Sequence, residues 1–152
     1  MSEYLRTTQE CTLDTMRPEL ATAIQAQMEK LSIDAADHSA ATCFETISTK
    51  QKKGVFQRKS QVIVTGILLT PKWLIWATGK ENEQPGVLSA DLNDIQIEDY
   101  EKSTMYKLAQ DSGINILNIP TPTGLGTVFI GLGPGSASQK FRTSLREAIQ
   151  KA

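Results

Sequence analysis

Histidine is nearly absent from this chain, with His38 the only one, and cysteine is limited to Cys11 and Cys43. Two cysteines that far apart in sequence make neither a disulfide framework nor a four-ligand zinc site. No metal and no cofactor are therefore expected. His38 sits in a small, polar connector with no nucleophile or orienting carboxylate assigned to it. No nucleophile–base–orienter set emerges, and the chain reads as a non-enzyme. Long apolar runs are missing too, since none approaches the roughly 20 residues needed to span a bilayer. Asp14 and Arg17 interrupt Leu13 and Met16, so the N-terminal segment lacks the apolar centre of a signal peptide. A reducing cytoplasm is the expected compartment.

What is present is ordinary in bulk and uneven in arrangement. The 152 residues suit one domain, and 39% apolar with 22% charged residues is a globular composition. A chain of this size buries roughly 70% of its unfolded surface and needs no covalent staple. The net charge of −1 conceals a segregation. From Thr46 to Lys80 there are seven basic residues and no acid: Lys50, Lys52, Lys53, Arg58, Lys59, Lys72 and Lys80. From Glu81 to Glu101 there are seven acids and no base: Glu81, Glu83, Asp91, Asp94, Glu98, Asp99 and Glu101. A neutral total is not a neutral surface.

The stretch Gln61–Thr78 organises the rest. Its two apolar runs, Val62–Leu69 and Trp73–Ala77, flank Thr70-Pro71-Lys72 and predict paired strands with a Pro turn. Trp73 and Trp76 then point to opposite faces, so at least one anchors a core. Residues 1–16 show no period and read as a loosely held leader. Arg17-Pro18-Glu19 opens a helix with Pro and an acid where a first turn tolerates them. Its apolar stripe is Leu20, Ile24, Met28 and Leu31, and residues 17–40 comprise this helix and a connector. The stripe packs either on its own domain or on a partner.

Thr42–Thr49, Val87–Leu92, Ile95–Ile97, Ile114–Ile119 and Gly126–Leu132 read as further strands, while residues 103–110 suit a turn of helix or a strand. Ser136 and Gln139 have capping-box spacing. They open a last helix with Phe141, Leu145, Ala148 and Ile149 inside and Lys140, Arg142, Arg146 and Lys151 outside.

The expected fold is mainly β with α: about seven antiparallel strands in a bent sheet or barrel closed by a C-terminal helix, plus an N-terminal helix. This order resembles the pleckstrin-homology-like superfold, in particular its GRAM and bacterial pleckstrin-homology branches. Gly66-Ile67-Leu68-Leu69-Thr70-Pro71-Lys72-Trp73-Leu74-Ile75-Trp76 is similar to that family's hairpin. Leu92-Asn93-Asp94-Ile95 resembles the start of its next strand, and the Phe141/Leu145 helix stands where its closing helix belongs. The resemblance covers residues 41–152.

It also implies that Lys50, Lys52, Lys53, Arg58 and Lys59 fall on the loop that holds phosphoinositide phosphates in lipid-binding members. Cations near an anionic membrane contribute about 1 kcal/mol each. The chain departs from the lipid-binding pattern in that Arg58 and Lys59 are adjacent and so face opposite ways on a strand. Glu81 and Glu83 would also repel phosphate from the neighbouring loop. The acidic tract lacks calcium-loop spacing and reads as a solvated face, or as the edge that meets the basic edge of another copy.

Gly131-Leu132-Gly133-Pro134-Gly135 imitates a dinucleotide fingerprint, but no further strand bearing an acid follows it. With an acidic pI and one aromatic, Phe56, near the basic run, nucleic acid is not an expected ligand. The sequence therefore favours a non-enzymatic interaction module that binds protein or self-associates as a homo-oligomer. The alternative is a peripheral binder of anionic membranes.

Overall fold

The hairpin forms as its turn chemistry predicts. In the computed structural model, which describes residues 3–51 and 61–152, Thr70 Oγ1 accepts from the amides of Lys72 and Trp73 at 3.1 and 2.8 Å. Thr70 N–H closes the turn on the Trp73 carbonyl at 2.9 Å. The elements in chain order are β1 (Tyr4–Cys11), α1 (Pro18–Lys30), α2 (Ala35–Ser39), β2 (Thr42–Lys50), β3 (Val62–Leu69), β4 (Trp73–Lys80), β5 (Gly86–Asp91), β6 (Gln96–Asp99), β7 (Gly113–Thr121), β8 (Gly124–Gly131) and α3 (Ser136–Lys151). Single 3₁₀ turns at Tyr100–Lys102 and Thr104–Lys107 join β6 to β7, and these take up the ambiguous stretch after residue 102.

The chain is mainly β. Strands β1 to β5 form one antiparallel sheet in sequence order, and β6 to β8 form a second. No strand pairing joins the two sheets among the described residues, so the barrel expected as one option does not close.

The central strands β3 and β4 are buried on both faces, which is why their sequences are continuous apolar runs rather than alternating ones. On the inner face Phe44, Ile67, Leu69, Leu74 and Trp76 pack with Ile114, Ile116 and Ile130 of the second sheet, and Phe141 and Leu145 of α3. On the outer face Val64, Leu68, Ile75 and Ala77 pack with Met16, Leu20, Ile24 and Met28. Trp76 belongs to the first core, and Trp73 packs at the margin of the second.

The stripe of α1 is therefore spent on its own domain. Leu20 and Ile24 are fully buried, Met28 is buried, and Leu31 is half-buried against the same cluster. A partner-facing role for these four residues finds no exposed face. Gln27 adds a side-chain hydrogen bond to Ser89 of β5 at 2.9 Å.

Residues 4–11 are not a loose leader. They form β1, which pairs with β2 along its whole length from Tyr4↔Lys50 to Cys11↔Cys43. The strand was invisible to hydropathy because its inward residues include Arg6 and Thr8, which are held by hydrogen bonds rather than by apolar contact. β7 runs through Pro120, beyond the point where the sequence predicts its end. Its pairing with β6 stops at Leu117, so Pro120 leaves no amide vacancy on that side. The predicted capping box of α3 does not form. Gly135 occupies the cap position, and no side chain caps the helix.

Candidate binding surface

Across the inner face of the larger sheet, apolar packing stops at a row of hydroxyls. Thr8, Thr46, Thr65 and Thr78 stand in register on β1 to β4. Thr8 and Thr46 share a hydrogen bond of 2.7 Å, and Thr65 and Thr78 one of 2.9 Å. On one side of the row lie Phe44, Ile67 and Trp76. On the other lie Arg6, Ser48, Ile63 and Lys80, again in register. The α3 helix covers the apolar half. The polar half opens into a cleft of about 180 Å³ between the sheets, lined by Arg6, Ile63, Thr65, Thr78 and Phe129.

The Arg6 side chain is only 10% exposed, and it is committed within the chain. Its Nε and one terminal nitrogen donate to the two Asp111 carboxylate oxygens at 2.9 and 2.7 Å, and the other terminal nitrogen donates to Ser48 Oγ at 2.6 Å. Its guanidinium lies 4.8 Å from the ring centre of Tyr4 and 5.4 Å from that of Phe129. A planar guanidinium with bidentate carboxylate and aromatic faces is a structural rivet. Here it ties β1 to the second sheet.

The glycine run that imitates a dinucleotide fingerprint serves the same joint. A Cβ on Gly133 would come within 2.4 Å of the Arg6 carbonyl oxygen, and one on Gly131 would fall on the Arg6 guanidinium. Gly133 N–H donates to Thr8 Oγ1 at 2.9 Å. Bare backbone is needed so that the β8–α3 connection can cross β1. Gly133→Ala is expected to cost about 2 kcal/mol, the overpacking range for a backbone obstacle. Urea unfolding checks this, and an unchanged midpoint would refute the close crossing.

Of the predicted basic residues, Lys50 ends β2 and is half-buried. Lys52, Lys53, Arg58 and Lys59 lie outside the described residues. Lys50 N–H donates to the Gln61 carbonyl at 2.8 Å, so Lys50 and Gln61 lie side by side. His38 is exposed on α2.

The acidic tract is not one face. Glu81 pairs with Arg17 at 3.0 Å. Asp99 pairs with Arg142 and Arg146 at 2.7 and 2.6 Å. Glu101 accepts from Arg142 at 2.9 Å and from Gly113 N–H at 2.8 Å. Arg142, placed outside by helical periodicity, is buried with 7% exposure because β6 and the following turn present these carboxylates to it. The acid-rich run Glu98-Asp99-Tyr100-Glu101 was the available signal for that partnership. Burial pushes both carboxyls up, but the Arg142 hydrogen bonds and nearby charge outweigh it and hold Asp99 and Glu101 below their ordinary values.

A concavity of about 550 Å³ lies between the start of β1 and the 3₁₀ turns, lined by Tyr4, Tyr100, Lys107, Leu108 and Ala109. On its wall Leu108 is 82% exposed, and nearby in sequence Met105 is 51% exposed. The sequence leaves residues 103–110 open between a turn of helix and a strand and gives Met105 and Leu108 no role, because two apolar residues in a polar turn carry no period. Among the described residues no group of three or more His, Cys, Asp or Glu side chains could hold a metal ion. No described helix is long and apolar enough to cross a membrane.

Compared with family models, curated proteins and solved structures, the chain matches none of them.

Proposed function

We propose that this chain is a non-enzymatic interaction module of pleckstrin-homology-like build whose partner is a protein surface, a second copy of itself first of all. The build is supported by β2 to β8, which run as four strands and then three, followed by α3 as a closing helix. On this reading β1 and α1 are additions that cover one edge and the outer face.

The observation that carries the interaction reading is Leu108 with Met105, large exposed apolar side chains, the first of them on the wall of the 550 Å³ concavity. An apolar anchor next to a cleft is how protein interfaces concentrate their affinity. In a two-fold contact each copy offers both parts, Leu108 entering the cleft of its mate. Sedimentation velocity tests this. The intact chain is expected to dimerise below roughly 100 μM, and Leu108→Glu to weaken the dimer at least about tenfold. A chain that stays monomeric throughout that range removes self-association.

A second reading is favoured by the mouth. Lys50 and Lys80 lie on the polar half of the inner face by register, and in sequence Lys50 opens the basic run that reaches Lys59. A cationic rim around an open polar face suits an anionic membrane surface. Co-sedimentation with neutral and with anionic, phosphoinositide-containing vesicles tests it. Binding to the anionic vesicles alone, lost on charge reversal of Lys52, Lys53, Arg58 and Lys59, would place this reading first. Absence of binding by the intact chain retires it for those lipids.

A further inference from the structure

The two cysteines, distant in sequence, face one another across the first strand pair. Cys11 is the last residue of β1 and stands directly opposite Cys43 of β2. Both are free thiols, Cys11 half-buried and Cys43 buried. Both belong to the outer face and the cluster beneath α1, so their side chains point the same way. Directly opposed residues of an antiparallel pair have Cα separations of about 4.5–5.5 Å, inside the range a disulfide spans. Only a small approach of the Cβ atoms is then needed. Cys11 ends a strand at the sheet edge, whose outer side carries no further strand among the described residues to resist that movement.

We propose that Cys11 and Cys43 are a disulfide site, closed by exchange with a small-molecule disulfide to make a covalent clasp between β1 and β2. The half-buried Cys11 thiolate attacks one sulfur of the small disulfide and expels one thiol. The Cys43 thiolate then attacks the Cys11 sulfur and expels the second. One disulfide is reduced to two thiols, which take up the two cysteine protons, and the protein loses two hydrogens.

The clasp converts the excursion from Thr12 to Thr42, with α1 and α2 in it, into a closed covalent loop. It also holds in register the strand that carries Arg6 of the mouth. Burial, and for Cys11 the charges of Cys43, Glu45 and Glu10, push the thiols up to about 12 and about 11. The exchange is therefore slow near neutrality and speeds up about tenfold per pH unit between 7 and 9, as the thiolate fraction grows.

The test incubates the full native chain with glutathione disulfide at about pH 8.5. The reaction is quenched with acid, free thiols are alkylated in denaturant, and the intact mass is read. The expected product is a monomer lighter by two hydrogens, without alkyl or glutathione adducts and reversed by dithiothreitol. Its thermal midpoint should rise by roughly 10 °C, from loop closure in the unfolded chain. Cys43→Ala should instead keep glutathione on Cys11. Two alkyl adducts, a lasting glutathione adduct on the intact chain, disulfide-linked dimers or an unshifted midpoint would each overturn the clasp. The mass of the intact chain decides the matter whether or not the variant folds.

Discussion

Phe141→Ala is expected to destabilise the protein by about 4 kcal/mol, the range for removing a fully buried ring. The Phe141 ring centre lies 5.2 Å from that of Phe44, with the planes tilted by 55°. Leu74, Leu92, Ile114 and Leu132, all buried, belong to the same core. These residues come from both sheets, from the β5–β6 turn and from the β8–α3 connection, so the core that holds the phenyl group is where α3 fastens the two sheets together. A cavity there cannot be refilled from one element alone. The thermal midpoint should fall by roughly 10 °C, while Phe141→Leu, which keeps most of the volume, should cost less than about 1.5 kcal/mol. Equal midpoints for the two variants would mean that α3 is not the fastening element.

The second large effect is electrostatic. Arg142→Met is expected to cost about 3 kcal/mol near neutral pH, because it leaves Asp99 and Glu101 without their shared cation. The figure sits at the low end of the range because Arg146 still pairs with Asp99, Gly113 N–H still reaches Glu101, and the Glu101 side chain is about one-third exposed. The pH dependence separates this from lost packing. Both carboxyls titrate lower in the folded chain than in the unfolded one. Their contribution is fully present above the unfolded values, near pH 4, and is lost as pH falls through the folded values. The difference between the intact chain and Arg142→Met should therefore be flat from about pH 5 to 8 and shrink below about pH 4. Urea midpoints at several pH values measure it. A difference that persists unchanged in acid would assign the loss to packing.

Much of the fold is legible in the chain because it rests on local signals. Val62–Leu69 and Trp73–Ala77 are runs that only doubly buried strands accommodate, and Thr70-Pro71 closes a turn by its own hydroxyl and fixed φ. The stripes of α1 and α3 repeat every three or four residues, so both helices follow from period alone. What local signals cannot carry is any element whose partners lie far along the chain. β1 escaped because Arg6 and Thr8 are satisfied by Asp111 and Gly133, more than a hundred residues away. Arg142 read as a surface cation because its carboxylates belong to another element.

The candidate surface divides in the same way. The cations of residues 50–59 are plain in the sequence as a run. The threonine row exists only because strand register aligns one residue from each of four strands, and register is a property of pairing. Leu108 stands exposed on a concavity whose walls come from the start of β1 and the 3₁₀ turns, a placement that no local signal carries. Composition and periodicity thus determined the strand-rich class, the two long helices and the charge segregation, since each depends on neighbours within a few residues. Tertiary structure alone decided which cations are neutralised, which apolar groups stay exposed and that Cys11 meets Cys43, since each depends on contacts between elements that chain order does not place together.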